Sequence, residues 1–254
     1  MRPSRRRTLN RLAALVAAIP LAGCDKLSRA PWFTRLLGAA EPLNHAVQRV
    51  VSPSTSMARE FTPADLSPEF RSNGTADPEN DDYQDLAENG FADWKLEVAG
   101  LVEHPLALSL ADLRAMPSRT QITRHDCVEG WSAIGQWTGV PLAAVLQRAG
   151  LRREARYLVF YCADPMEGTP ESAYYESIGL DDAFHPQTIL AYGLNGRDLP
   201  VANGAPLRLR VERQLGYKMA KYVMRIEAVE SFARIAGGKG GYWEDRGYEW
   251  YAGI

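Results

Sequence analysis

Residues 124–129 read Arg-His-Asp-Cys-Val-Glu, placing five chemistry-bearing side chains in six positions. Polar groups at that density need partners or a task once they leave water. Four kinds of chemistry suit the residue types. A zinc site would use His125, Cys127 and Glu129, which share one side of an extended segment while Asp126 points away. Three ligands on one strand reach one ion only through a sharp bend, and no Cys-x-x-Cys or His-Glu-x-x-His accompanies them. A nucleophilic Cys127 would need a base, for which His125, His104 and His185 are the candidates. A Cys127–Cys162 disulfide would suit an oxidising compartment. In the fourth reading Cys127 is the one protein ligand to a soft transition metal that an organic cofactor otherwise holds, with Arg124 favouring the thiolate.

Such a cluster must be held by strands. Trp94, Leu96 and Val98 alternate with polar residues, and 120–125 reads as a strand running into Cys127. Residues 157–161 and 188–192 are buried-type strands, the second followed by an Asn195-Gly196 turn. Residues 207–211 alternate Leu and Arg and predict a strand with one wet face, and 221–229 a further strand. Helices are expected to be short: one after Ser109, and one over 142–148 with Pro141 at its first position and Gly150 as its stop. Strands outnumbering short helices predict an α+β fold.

The 254 residues are 46% hydrophobic and 24% charged, an ordinary globular balance. No apolar run approaches the ~20 residues of a membrane-spanning helix. Net charge is −2 and no basic stripe follows the N-terminus, so nucleic acid is not an expected partner. Residues 1–23 read as an export leader: five Arg, then the apolar run Leu12–Leu21, then Leu21-Ala22-Gly23-Cys24. The ending resembles a bacterial lipoprotein signal that places lipid on Cys24, and Ser4–Leu9 resembles the twin-arginine motif, a route for proteins exported folded. Asp25 matches an inner-membrane retention signal, so the expected location is the periplasmic face of the inner membrane. Residues 24–65, broken by four prolines and carrying short helices near 32–37 and 43–51, are expected to be a tether, and residues 66–254 the catalytic domain.

The run from Arg124 to Leu142, RHDCVEGWSAIGQWTGVPL, resembles the molybdenum-binding core of the sulfite oxidase superfamily. The likeness spans about Asn73 to Val229. It includes His185-Pro186, the block Asn203-Gly204-Ala205-Pro206-Leu207-Arg208, and Gly216-Tyr217-Lys218 with Lys221. It implies a sulfite-oxidase-type molybdopterin-binding fold, α+β with mixed sheets, and a molybdopterin cofactor whose molybdenum is bound by Cys127. Arg208, Lys218 and Lys221 would hold the pterin phosphate, with backbone near Met219 and Ala220. Asn73, Asn203, Cys162 and His185 match cofactor-contacting positions, although the reductases of the group carry Thr where this chain has Cys162. Arg124, His125 and Glu129 are the expected catalytic neighbours of Cys127.

The implied activity is oxygen-atom transfer, in the direction of S- or N-oxide reduction. The oxide is a small molecule or sits on a protein. Sulfite oxidases place paired Arg after their cysteine, where this chain has Glu129-Gly130-Trp131, and Trp131 and Trp137 could line a pocket for a neutral sulfoxide or be core. Without a Cys-x-x-Cys-His haem motif, electrons are expected from a separate partner: a membrane haem protein, a quinone-linked subunit or cytochrome c. Sulfite oxidation feeding a cytochrome is the alternative, and a cofactor-free lipoprotein binding module is the reading from another class. The aromatic tail 242–251 could pack on the core or present a docking face. A monomer is expected.

Overall fold

The computed structural model describes residues 29–254 except 39, 52, 54, 170 and 171. The export leader and Cys24 lie outside the described residues. The chain divides into two compact units, residues 1–53 and 54–254. The described part of the first holds helices α1 (Pro31–Gly38) and α2 (Ala40–Val51). No helix among the described residues is long and apolar enough to cross a membrane.

The second unit is built on two five-stranded sheets. In the first, the order is β2 (Leu106–Ser109), β1 (Lys95–Gly100), β10 (Val223–Val229), β5 (Tyr157–Pro165), β6 (Ala173–Gly179). In the second, β3 (Arg119–Asp126), β4 (Ser132–Pro141), β7 (Ile189–Leu194) and β8 (Arg197–Asp198) follow one another. There β9 (Arg208–Arg210) pairs with the beginning of β7. β1 and β10 run parallel and the other pairs antiparallel, so the sheets are mixed. The helices are short: α3 (Asp81–Glu88), α4 (Leu110–Ala115), α5 (Leu142–Ala149) and α6 (Leu180–Ala183). This is the α+β architecture that strands outnumbering short helices predict.

Local chemistry explains most boundaries. In β1, Leu96 and Val98 are buried and Lys95 and Glu97 exposed, as a half-buried strand requires. Ser109 and Asp112 exchange a capping box at the start of α4. Gly150, at φ 68°, ends α5, while Pro141 takes the N-cap, one position earlier than expected. Asn195 and Gly196, at φ 52° and 75°, make the β7–β8 turn that the dipeptide predicts. Residues 56–61 already belong to the packed unit: Phe61 N–H donates to the Ile122 carbonyl, and Ala58 exchanges hydrogen bonds with the Gln187 side chain.

One expectation is overturned. The strand around 208–210 has no wet face, because Arg208 and Arg210 are both fully buried. Their guanidinium groups lie over the buried Trp137 ring at 5.3 and 4.3 Å. Arg210 also forks onto Glu212 at 2.9 and 2.7 Å, so buried partners replace water. Trp137 is thus core, packed with Phe70 and Ile189.

Candidate active site

The β3–β4 hairpin delivers the cysteine. The strands stay in register to Asp126↔Ser132, and residues 127–131 turn the chain. Cys127 N–H donates to the Trp131 carbonyl (2.9 Å) and Gly130 N–H to that of Cys127 (3.0 Å). Gly130 sits at φ 86°, a conformation that favours glycine. Strand alternation turns Arg124 and Asp126 outward, where they pair at 2.9 Å, and buries His125 completely. Arg124 is therefore not brought to the thiol.

Cys127 is 9% exposed and lines a pocket of about 220 Å³ that opens to solvent. Burial pushes its thiol up; the Glu129 backbone N–H opposes that, the Glu129 carboxylate adds to it, and Arg208 opposes it. Glu129 lines the same wall and accepts from Trp131 Nε1 at 2.9 Å. Cys127 and Cys162 are both free, so the disulfide alternative is not formed.

Lys221 lines the same pocket, and the fully buried Arg208 lies behind the lining, near enough to Cys127 for each to act on the other's charge. Lys221 Nζ donates to the carbonyls of Thr75 and Ala202 and lies 3.5 Å from Ser72 Oγ. Burial, then the nearby Arg208, pulls it down to about 7. Arg208 donates to the Asn203 carbonyl (3.1 Å) and to Asn73 Oδ1 (2.9 Å), and its Nε–H has no partner. Burial and Arg210 pull it down to about 9. Two desolvated cations held by neutral acceptors, one with an orphaned donor, call for an anion. A pterin phosphate meets that need, so Lys221 and Asn73 on the lining, with Arg208 and Asn203 behind them, fit the expected group.

Other expected residues fall elsewhere. Lys218 does not face the pocket: its ammonium is fully buried between Glu176 and Glu244, 2.5 Å from each. Cys162 is buried in the core and is not part of the lining, and burial raises its thiol strongly. His185 Nε2 lies 3.0 Å from the Ser56 carbonyl and Nδ1 accepts from Gln187 N–H at 3.2 Å, so this ring ties the 56–61 segment to the domain. His125 Nδ1 accepts from Arg210 at 3.0 Å and lies 3.3 Å from Met219 Sδ. Burial and the two arginines keep the ring neutral, and its Nε2 is unpartnered against Gly216, where a Cβ would collide with it. Met219 reaches the pocket, while Ala220 is buried behind it and accepts from Leu209 N–H.

Sequence reasoning missed Asp164, a buried carboxylate on the pocket wall with an unpartnered Oδ1. Burial drives it up to about 7. Its signal was available: an acid ending the otherwise apolar run 157–163. The tail also contributes, since Trp243 and Tyr248 stack 5.4 Å apart and line the pocket beside Tyr217. The packing reading of the tail thus holds for these two rings, and Glu244 pins the turn that carries them.

The family model of the oxidoreductase molybdopterin binding domain matches residues 83–234. An Azospira oryzae protein, provisionally named subunit YedZ1 of a protein-methionine-sulfoxide reductase, is 37% identical over 253 residues, 99% of this chain and 88% of its own. The protein-methionine-sulfoxide reductase catalytic subunit MsrP of Ralstonia nicotianae is 33% identical over 85% of this chain and 68% of its own. The MsrP of Xanthomonas axonopodis is 42% identical over 56% of this chain and 47% of its own, so the chain spans about half of that relative. Among solved structures, the sulfane dehydrogenase SoxCD from Paracoccus pantotrophus shares the fold, with a TM-score of 0.51 and 22% identity over 71% of this chain and 48% of that one.

Proposed function

The chain belongs to the oxidoreductase molybdopterin binding domain family, and from that premise we propose that it reduces an S-oxide at a molybdenum–pterin group bound through Cys127. The observation that carries this is a free thiol and the buried Lys221 lining one pocket, with the buried Arg208 and its unpartnered Nε–H behind the lining. When bound, the group supplies oxygen-atom transfer. Cys127 is its protein ligand. Lys221 and Arg208 neutralise its phosphate, Arg208 also fixing Asn73.

Reducing R2SO to R2S and water consumes two electrons and two protons. Asp164 holds a proton at its carboxyl below about pH 7, at the edge of the space a substrate would occupy. Glu129, beside the thiol, is the second proton-handling candidate. The direction follows from the pocket's walls. Sulfite is a dianion and needs clustered arginines, whereas Arg124 is exposed and spent on Asp126. Met166, Tyr217, Trp243 and Tyr248 instead offer a surface for a neutral sulfoxide. Relatives named as methionine sulfoxide reductases support the same reading.

The leader and Cys24 support export by the twin-arginine route and a lipid anchor on the outer face of the inner membrane. A separate membrane haem protein, quinone-linked subunit or cytochrome c would then deliver electrons. Metal analysis tests the site: wild type carries molybdenum, and Cys127→Ser loses it together with activity, by on the order of a hundredfold or more. Undiminished molybdenum in that variant defeats the assignment. Steady-state turnover of methionine sulfoxide and of sulfite tests the direction, and turnover of sulfite alone defeats the reductase reading.

A further inference from the structure

Eleven large apolar side chains are exposed among the described residues, and six of them fall in α1 and α2. Leu43, Val47 and Val50 recur at i, i+4 and i+7 in α2, and Trp32, Leu36 and Leu37 share one side of α1. No residue of α1 is buried. Helices of 8 and 12 residues are too short to persist in water on propensity alone, so their apolar side must be covered.

Charge names the cover. Residues 24–53 carry Lys26, Arg29, Arg35 and Arg49 against Asp25 and Glu41, whereas residues 54–254 carry 20 Lys and Arg against 29 Asp and Glu. An anionic surface attracts the first segment and repels the second. Cys24 stands seven residues before Pro31, and seven residues reach at most about 25 Å. If Cys24 is acylated, as proposed above, α1 cannot leave the neighbourhood of the headgroups. We infer that α1 and α2 form a bilayer-docking surface that lies in the interface of an anionic membrane, apolar side inward, and adds to any lipid on Cys24.

The test uses the full chain as recovered from an exporting cell, with vesicles of phosphatidylcholine with or without phosphatidylglycerol, all bearing brominated acyl chains. Subtracting the Trp32→Tyr variant isolates Trp32 emission from that of the five other tryptophans. Trp32 is expected to be quenched on the anionic vesicles, less so as salt rises, and to lose the quenching in Leu36→Glu/Val47→Glu. Quenching that survives in that double variant reflects tethering without docking and overturns the proposal. Flotation with the vesicles while Trp32 stays unquenched overturns it too and leaves the lipid anchor standing. A chain that neither floats nor is quenched removes both. Concentration-dependent shielding of Trp32 without vesicles assigns the stripe to a second copy and overturns the proposal.

Discussion

Lys218 and Lys221 stand three residues apart in one motif, and the fold treats them oppositely. Lys218 is fully buried with two carboxylates at 2.5 Å, Glu176 from β6 and Glu244 from the tail. Lys221, nearly as buried, has two carbonyls and a hydroxyl, and no carboxylate within ion-pair distance among the described residues. Asp164, the acid nearest to it in effect, is itself pushed towards neutrality. The first lysine is satisfied by its own chain and fastens the tail that lines the pocket. The second is left wanting an anion that the chain does not supply. A buried charge that is internally paired is architecture, and a buried charge that is not is half of a binding site.

The largest expected effect tests the architectural half. Lys218→Met leaves Glu176 and Glu244 buried together without a counter-ion. Breaking a buried pair in this way costs about 3–5 kcal/mol, measured by urea unfolding of the protein freed of cofactor. A loss below about 1 kcal/mol, accompanied by loss of molybdenum, would move Lys218 into the cofactor site and erase the contrast.

The complementary substitution tests the functional half. Lys221→Met removes a cation whose proton is already weakly held, so the cofactor-free protein should change by less than about 1 kcal/mol. Retention of molybdenum should fall roughly 10–100-fold, as for groups that support a metal centre from outside its ligands. Metal content after gel filtration, read beside urea unfolding, separates the two lysines: one variant is unstable, the other empty.

That contrast could not be read from the sequence. Both lysines match the same motif, and what distinguishes them lies 42 residues upstream and 26 downstream of Lys218, at Glu176 and Glu244. Arg208 and Arg210 misled in the same way. Their alternation with leucine is real, but Trp137 and Glu212 take the place of solvent. β1 was legible because side-chain period and burial agree there, and β5 and β7 because their near-continuous apolar runs are buried on both faces. β4 was not, because three of its five buried positions, Ala133, Gly135 and Gly139, are small, and only Trp137 and Val140 are large. A hydrophobic-period reading overlooks glycines, yet these two are buried by close approach: a Cβ on Gly135 would lie 2.8 Å from the Phe70 ring, and one on Gly139 would strike the Leu190 backbone. Cys127 itself was legible from its neighbours, since a dense polar cluster at the end of a strand already demanded a task.

The smallest expected effect sharpens the comparison through pH. In the cofactor-free fold Asp164 is raised from 3.8 to about 7. Between those values the folded protein keeps a proton that the unfolded chain has lost, so stability falls as pH rises through that window. Lys221 is lowered from 10.5 to about 7. From about 7 to 10.5 the unfolded chain keeps a proton that the fold has lost, so stability rises with pH there. Together the two groups predict a shallow stability minimum near pH 7, each limb on the order of 1–2 kcal/mol after relaxation of the site. Asp164→Asn should flatten the acid limb and Lys221→Met the alkaline one, as read from urea midpoints between pH 4 and 10. Restoring the cofactor should shrink the alkaline limb in wild type, because a bound phosphate gives Lys221 a reason to stay charged. A wild-type curve that stays flat across this range, or an alkaline limb that survives in Lys221→Met, would mean that Lys221 finds its counter-charge within the chain after all.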